Sequence, residues 1–195
     1  MSRFINVALN SPGTGYESRR ILEGKTFHVL SEEVAIDTTI DEVWEEVSGN
    51  FVNGAEIAHS LNASYGISGE LTEGLGAERF LDINFQGQRI EAKERIIDFR
   101  DCGDVREFTY VVYEAKGSPI GIKTYNTWYV RHGEDEGPHL GNVFIFRANI
   151  PFLTGLVGKK LAQSGSIRAG LLTYKHYLET GEKKVDQETL MGLYP

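Results

Sequence analysis

The order of two hydrophobic patterns constrains this chain more than any single motif does. Between residues 59 and 150, apolar and polar residues alternate in successive short segments, which is typical of β-strands. From residue 151 to about 180 the apolar residues recur at helical spacing instead, and Gly181 follows. A helix of about 30 residues is about 45 Å long, enough to cross a whole sheet. The sequence therefore predicts a large sheet and one long closing helix that bury each other's apolar faces.

Seven strands are predicted, and the short links between them favour an antiparallel arrangement. The links are rich in glycine, glutamine, aspartate and proline, and most carry a glycine or proline that suits a turn. The predicted strands span residues 27–36, 59–69, 76–85, 89–99, 105–113, 122–131 and 142–150.

A shorter helix is predicted after the first strand. Thr39 and Glu42 have the spacing of a capping box, in which each side chain bonds the other residue's backbone N–H. Residues 51–58 are expected to form a second short helical turn. The apolar face of the first helix is formed by Ile40, Val43, Trp44 and Val47.

Three glycines interrupt the long closing helix: Gly155, Gly158 and Gly165. Each lowers the intrinsic stability of a helix by about 1 kcal/mol relative to alanine, so tertiary packing must hold this helix. We expect the glycines to allow close packing inside the fold. A dimer contact and a bend in the helix are the alternatives.

Length and charge limit the class of protein. With 195 residues, the chain is expected to form one domain at 26–182, an N-terminal arm at 1–25 and a C-terminal tail at 183–195. The net charge of −8 disfavours nucleic acid or an anionic membrane as the main partner. No segment reaches the about 20 apolar residues of a membrane helix, so no stable membrane insertion is expected. The single cysteine, Cys102, fits a reducing compartment, and the chain start has no signal-peptide pattern. The expected location is the cytoplasm.

Five local patterns occur in order along the chain: DTTIDEVW at 37–44, GLGAER at 74–79, ERIID at 94–98, FTY at 108–110 and LLTYKHYLETG at 171–181. A helix carrying a Val-Trp pair follows a strand, a glycine turn precedes an arginine-bearing strand, and the last helix closes the domain. The order of these patterns resembles the START-like (SRPBCC) superfamily, which includes polyketide cyclase/dehydrase-type and Bet v 1-like proteins.

The resemblance covers roughly residues 27–181 and implies an α+β helix-grip fold. In that fold a curved seven-stranded antiparallel sheet wraps around a long C-terminal helix, with two short helices after the first strand and a cavity for an apolar ligand. The superfamily holds lipid carriers, hormone receptors, cyclases and oxygenase subunits, so no single activity follows. No Cys/His pattern for an iron centre is present, and no metal or cofactor is expected.

Strand alternation singles out two charged residues. On the strand 89–99, Glu94 shares a face with apolar residues, and on the preceding strand Arg79 does so too. A tight hairpin at Gly87 brings the two side chains opposite or diagonal to each other. We predict that Arg79 and Glu94 meet inside the sheet and anchor a ligand. The resemblance supports this, because a matching glutamate points into the pocket of its hormone receptors. A buried pair that only neutralises itself, or a pair reaching water, is the alternative.

Three further candidates lie on the later strands. Tyr110 shares a face with Phe108 and Val112, so its hydroxyl is expected either in the cavity or hydrogen-bonded within the core. On the strand 122–131 alternation does not decide which face is inward. The resemblance favours Tyr125 and Thr127 as the inward residues.

The closing helix adds the last three candidates. Gln163 and Ser164 border its apolar stripe, which contains Ile167, and are expected either at the ligand or on a solvated flank. No catalytic residue is assigned, because no nucleophile, nucleotide-binding or metal motif is present. Cys102 lies between acidic residues that raise the pKa of a thiol, so it is a poor nucleophile.

The leading hypothesis is a protein that binds a small hydrophobic or aromatic ligand, lipid- or polyketide-like, in an internal cavity. The first alternative is a polyketide cyclase or aromatase in which Glu94 or Tyr110 moves protons. The second is a module without a ligand that forms a homodimer through the helix glycines. Whether the protein is an enzyme is left open by the sequence.

Overall fold

The computed structural model describes residues 16–22, 25–85, 87–101, 105–118, 124–133 and 137–195. The prediction about Cys102 lies outside these residues, as do the starts of the N-terminal arm and of the strand predicted at 122–131. Within the described part of the chain, none of the helices has both the length and the apolar character needed to cross a bilayer.

The described residues form one antiparallel sheet in the strand order β1-β2-β8-β7-β6-β5-β4-β3. The seven predicted strands are β2 to β8, which confirms the helix-grip sheet. An eighth strand, β1, lies in the predicted N-terminal arm and pairs with β2. The strands are β1 Tyr16–Leu22, β2 Lys25–Ala35, β3 Leu61–Gly66, β4 Glu78–Phe85, β5 Gln88–Arg100, β6 Val105–Lys116, β7 Thr124–His132 and β8 Pro138–Phe146.

The first helix, α1, spans Ile40–Gly49 and begins with the predicted capping box. The Glu42 backbone N–H donates to Thr39 Oγ1 at 3.2 Å, and the Thr39 N–H donates to Glu42 Oε2 at 3.1 Å. Val43, Trp44 and Val47 are buried, so the helix presents its apolar face to the sheet. A 3-10 turn at Gly54–Glu56 follows, within the predicted short helical segment.

The closing helix bends at Gly165. After a 3-10 turn at Pro151–Leu153, helix α2 spans Thr154–Ser164 and helix α3 spans Ser166–Thr180. Gly165 separates them with a φ of 63°, in the left-handed region that favours glycine. The predicted long helix is therefore present in two parts. Of the roles considered for the helix glycines, Gly165 has that of a bend in the helix.

The C-terminal segment contains one more helix, α4, at Gln187–Leu193, which the sequence reading did not predict. Asp186 caps it, since its Oδ1 accepts the backbone N–H of Thr189 at 3.0 Å. Leu190 of α4 is buried in the main apolar cluster, so the segment packs on the domain.

The core lies between the concave face of the sheet and the helices. Trp44 of α1 and Phe108 of β6 have ring centroids 6.1 Å apart, and Phe51 contacts Phe108 edge-on at 6.0 Å. Leu171 and Leu172 of α3 belong to the same cluster. A second, smaller cluster lies on the opposite face of the sheet and is formed by Phe27, Val29, Tyr129, Val143 and Ile145.

We expect Gly165→Ala to lower the free energy of unfolding by about 1 to 2 kcal/mol, because a Cβ is disfavoured at positive φ. Gly170→Ala is the control. Gly170 lies inside α3, and an added Cβ there meets nothing closer than the Trp128 ring at 4.0 Å. This control should raise the free energy of unfolding by up to about 1 kcal/mol. Urea unfolding measures both, and equal effects of the two changes would contradict the bend at Gly165.

Candidate ligand-binding site

A cavity of about 450 Å³ lies between the concave face of the sheet and helix α3. This volume is within the range of ligand pockets in proteins, about 300 to 1,000 Å³. Ser60, Asn84 and Gln187 line it and are exposed, so the cavity reaches the protein surface. Its apolar lining includes Val47, Phe51, Leu81, Ile83, Phe85, Ile90, Ala92, Phe108, Val112, Phe144, Leu161, Ile167 and Ala169.

The C-terminal segment forms part of the cavity wall. Val185, Gln187 and Leu190 all line the cavity. The Gln187 side chain donates from Nε2 to the backbone carbonyl of Ser164 at 2.7 Å, which ties α4 to the end of α2. The backbone N–H of Lys184 donates to the Ile57 carbonyl at 2.9 Å. These bonds hold the segment against both the helix pair and the 3-10 turn.

The predicted meeting of Arg79 and Glu94 is confirmed. The two residues are directly opposite in the register of β4 and β5, and both are buried. Arg79 Nε and Nη2 each lie 2.7 Å from the same carboxylate oxygen, Glu94 Oε2. Both residues line the cavity. Their role as a ligand anchor stays a prediction.

The Arg79 guanidinium is held on all sides by protein groups. Its Nη1 donates to the backbone carbonyl of Phe51 at 2.5 Å. Its central carbon lies 4.2 Å from the centre of the Phe51 ring and 5.1 Å from that of the Tyr110 ring, distances at which aromatic faces attract cations. The charge of Arg79 is therefore already compensated by Glu94, a carbonyl and two rings.

Burial and pairing act together on the ionisation of this cluster. Burial raises the pKa of Glu94, and the Arg79 guanidinium opposes that rise. Burial lowers the pKa of Arg79, but the Glu94 charge, its hydrogen bond and the nearby Tyr110 and Tyr174 together outweigh burial, so the pKa is raised and Arg79 stays protonated. Burial also raises the pKa of the Tyr110 hydroxyl, with a further rise from Glu94. Burial raises the pKa of Tyr174, on the facing helix α3, to about 12.

The second oxygen of Glu94, Oε1, accepts no hydrogen bond from any residue that the structure describes. Both Arg79 contacts go to Oε2, and Arg79 is the only described group that hydrogen-bonds the Glu94 side chain. Because Glu94 lines the cavity, this oxygen is an acceptor available to a ligand.

Two asparagines that the sequence reading did not select also line the cavity. Asn142 on β8 donates from Nδ2 to Asn126 Oδ1 on β7 at 2.6 Å, and both residues are buried. We refer to Asn126 and Asn142 as the amide pair. A buried amide on an apolar strand face is unusual and is the signal that could have identified them.

The prediction that Tyr125 and Thr127 face the cavity is wrong. Tyr125 packs against Phe27 on the opposite face of the sheet, with ring centroids 6.3 Å apart. The Thr127 hydroxyl lies 2.7 Å from that of Thr109 and is buried away from the cavity lining. The inward residues of β7 are the alternate ones: Thr124, Asn126 and Trp128. Tyr110 is buried and lines the cavity, and its role as a ligand contact stays a prediction.

Gln163 and Ser164 do not line the cavity. Gln163 is exposed, and the Ser164 hydroxyl donates to the Leu161 carbonyl at 2.7 Å at the end of α2. The bend at Gly165 interrupts the helical spacing, so the stripe before it does not continue onto α3. Ile167, after the bend, does line the cavity.

No metal site accompanies these groups. Among the described residues, no cluster of three or more His, Cys, Asp or Glu side chains could hold a metal ion. The buried His176 has other partners: its Nδ1 lies 3.1 Å from the Tyr194 hydroxyl and its Nε2 lies 3.0 Å from Glu182 Oε2.

No family model matches the chain, and no curated protein matches its sequence. Solved structures do match. The ZhuI aromatase/cyclase from Streptomyces sp. R1128 is 14% identical with a TM-score of 0.59, over 80% of this chain and 99% of that one. Major latex-like protein 151 from Panax ginseng is 15% identical with a TM-score of 0.53, over 72% and 97%. A START superfamily protein from Mycobacterium smegmatis is 12% identical with a TM-score of 0.50, over 72% and 97%.

At these identities the likeness shows the fold. The chain has the helix-grip fold of START-like proteins, as the sequence resemblance implied. In each comparison nearly the whole of the other structure is covered, whereas part of this chain lies outside the matched region.

We expect Arg79→Met to lower the free energy of unfolding by about 3 to 5 kcal/mol, because it leaves the buried Glu94 without its partner. Replacing both partners, in Arg79→Met/Glu94→Leu, should recover most of that loss. Chemical unfolding of the two variants measures the difference.

Arg95→Met is the matched control. Arg95 faces Glu78 across the same two strands, but on the other face of the sheet, and its side chain is 52% exposed. An exposed pair contributes at most about 1 kcal/mol, so this change should cost little. A loss below about 1 kcal/mol for Arg79→Met would show that the Arg79–Glu94 pair is not buried in solution.

Proposed function

We propose that the protein binds a small hydrophobic or aromatic ligand, lipid- or polyketide-like, between its sheet and helix α3. The observation that carries this proposal is the open cavity of about 450 Å³, with a mainly apolar lining and a few polar groups that converge on it. An empty apolar cavity of this size lowers the stability of a protein. A chain that keeps such a cavity is therefore expected to bind a ligand in it.

Apolar burial supplies most of the binding free energy in this proposal. At about 25 cal/mol per Å², a ligand burying about 300 Å² of apolar surface gains about 7.5 kcal/mol before the costs of association. Those costs are about 4 kcal/mol or more. The apolar contacts therefore support weak binding, and the polar groups of the cavity decide which ligand binds tightly.

A cyclase-type enzyme is the second candidate. The observation in its favour is Glu94, a cavity-lining carboxyl whose pKa is raised by burial and whose Oε1 accepts no hydrogen bond from a described residue. A carboxyl of this kind can exchange a proton with a bound substrate. One of the similar structures is an aromatase/cyclase, which adds to this candidate at the level of the fold.

The alternative of a module without a ligand has less support, because it does not account for the open cavity. Homodimer formation, the absence of a nucleic-acid partner and a cytoplasmic location remain part of the proposal. They depend on the helix glycines, the net charge of −8 and the single cysteine.

Filling the cavity should prevent binding. In Gly170→Phe the new ring enters the cavity, because Gly170 lines it and the added Cβ meets nothing closer than the cavity-lining Trp128 ring at 4.0 Å. We expect this variant to bind the neutral fluorescent probe N-phenyl-1-naphthylamine at least about tenfold more weakly than the unaltered protein, a loss of about 1.4 kcal/mol. Fluorescence titration measures the affinity.

Gly192→Phe provides the matched control. It is the same substitution in another helix, α4, at an exposed position with nothing within 4 Å of the added Cβ and outside the cavity lining. It should bind the probe as the unaltered protein does. Equal binding by both variants, or no binding by the unaltered protein, would refute the proposed function.

A further inference from the structure

We propose that the cavity selects a neutral, hydroxylated aromatic ligand and rejects carboxylates. A hydroxyl of the ligand donates to Glu94 Oε1, and a carbonyl or second hydroxyl bonds to the amide pair. This inference rests on the proposed function and specifies its ligand class.

The charges of the lining exclude an anionic ligand. Among the described residues that line the cavity, Arg79 is the only arginine or lysine and Glu94 is the only acid. Arg79 is already paired with Glu94 at 2.7 Å and bonded to the Phe51 carbonyl. A carboxylate entering the cavity would meet Glu94 without a free cation to balance it. Burying a charge without a partner is strongly unfavourable, so acids are disfavoured as ligands.

Glu94 can accept a further hydrogen bond from a donor group of the ligand. Glu94 lines the cavity and its Oε1 has no described donor, whereas Oε2 accepts a hydrogen bond from Arg79 Nε and lies 2.7 Å from Nη2. A hydrogen bond to a charged group is stronger than one between neutral groups. A ligand hydroxyl can supply that donor, and an ester or ether oxygen cannot.

The amide pair can hydrogen-bond a neutral polar group of the ligand. The bond from Asn142 Nδ2 to Asn126 Oδ1 leaves Asn126 Nδ2 and Asn142 Oδ1 without a described partner. The pair therefore has a donor group, the Asn126 amide nitrogen, and an acceptor, the Asn142 amide oxygen, without described partners, and it carries no charge. A ketone accepts from the donor, and a hydroxyl can use either group.

The sheet places the two polar positions apart. Glu94 lies on β5, and Tyr110 on β6 is opposite Asn126 on β7. Across the sheet, Asn126 lies two strand spacings from Glu94, about 10 Å, and Asn142 on β8 lies three, about 14 Å. A molecule of two or three fused rings with polar groups at its ends matches this separation. Phe108, Tyr110, Trp128 and Phe144 line the space between and offer ring contacts.

Matched naphthalenes test the inference by competition with N-phenyl-1-naphthylamine at pH 7. The neutral ligand is 6-hydroxy-2-acetylnaphthalene, and the acid is 6-hydroxy-2-naphthoate, which is ionised at this pH. We expect the hydroxy-ketone to bind at least about tenfold more tightly than the acid, since one uncompensated charge costs more than 1.4 kcal/mol. Equal or tighter binding of the acid would overturn the inference.

Two variants test which residues are responsible for the selection between the ketone and the acid. Glu94→Gln leaves the Arg79 charge unpaired and should reverse the preference, so that the acid binds more tightly than the ketone. Asn126→Leu/Asn142→Leu removes both members of the amide pair, which avoids leaving one of them unsatisfied. It should weaken binding of the hydroxy-ketone about five- to tenfold and leave binding of 2-naphthol, which has no ketone, unchanged. An equal loss for both ligands would assign the amide pair a structural role and overturn its part in selection.

The outcomes separate this inference from the proposed function. If the probe binds and Gly170→Phe abolishes its binding, the cavity is a ligand site. In that case equal affinity for acid and ketone refutes the selection alone. If neither the probe nor any naphthalene binds, both proposals fail.

Discussion

The buried pair of Arg79 and Glu94 is the interaction on which the candidate site depends. It joins β4 to β5 inside the sheet, and through the Phe51 carbonyl it also joins the sheet to the segment after α1. The rings of Phe51 and Tyr110 contact the guanidinium and exclude water. The pair thus makes one end of an apolar cavity polar without giving it a net charge. Because burying either charge without the other is unfavourable, neither residue can be replaced alone without a loss of stability.

The rest of the cavity depends on how the C-terminal residues are arranged. The left-handed Gly165 divides the closing helix, so α2 and α3 cover different parts of the concave face. The segment after α3 then contributes Leu190 to the core and Gln187 to the cavity wall. The cavity is therefore enclosed by the sheet, α3 and α4 together, and the segment expected to be a tail is part of the enclosure.

Much of the fold could be predicted because the relevant signals are local. The capping box of Thr39 and Glu42 depends on residues three apart, and the alternation along β4 and β5 depends on residues two apart. The same alternation placed Arg79 opposite Glu94, because a short hairpin leaves few possible registers. Strand β7 was different, since aromatic residues occupy both of its faces. Tyr125 and Tyr129 lie on one face and Trp128 on the other, so the local pattern was ambiguous.

The sequence by itself determined the element order, the antiparallel sheet with its closing helix, and the pairing of Arg79 with Glu94. Each of these follows from periodicity and short-range chain geometry. The tertiary structure alone decided which face of β7 is concave, because that depends on the neighbours β6 and β8 and on the curvature of the whole sheet. It also decided that Gly165 bends the closing helix and that Asn126 and Asn142 meet. A glycine permits several conformations, and a pair on adjacent strands is defined only when the register between them is known.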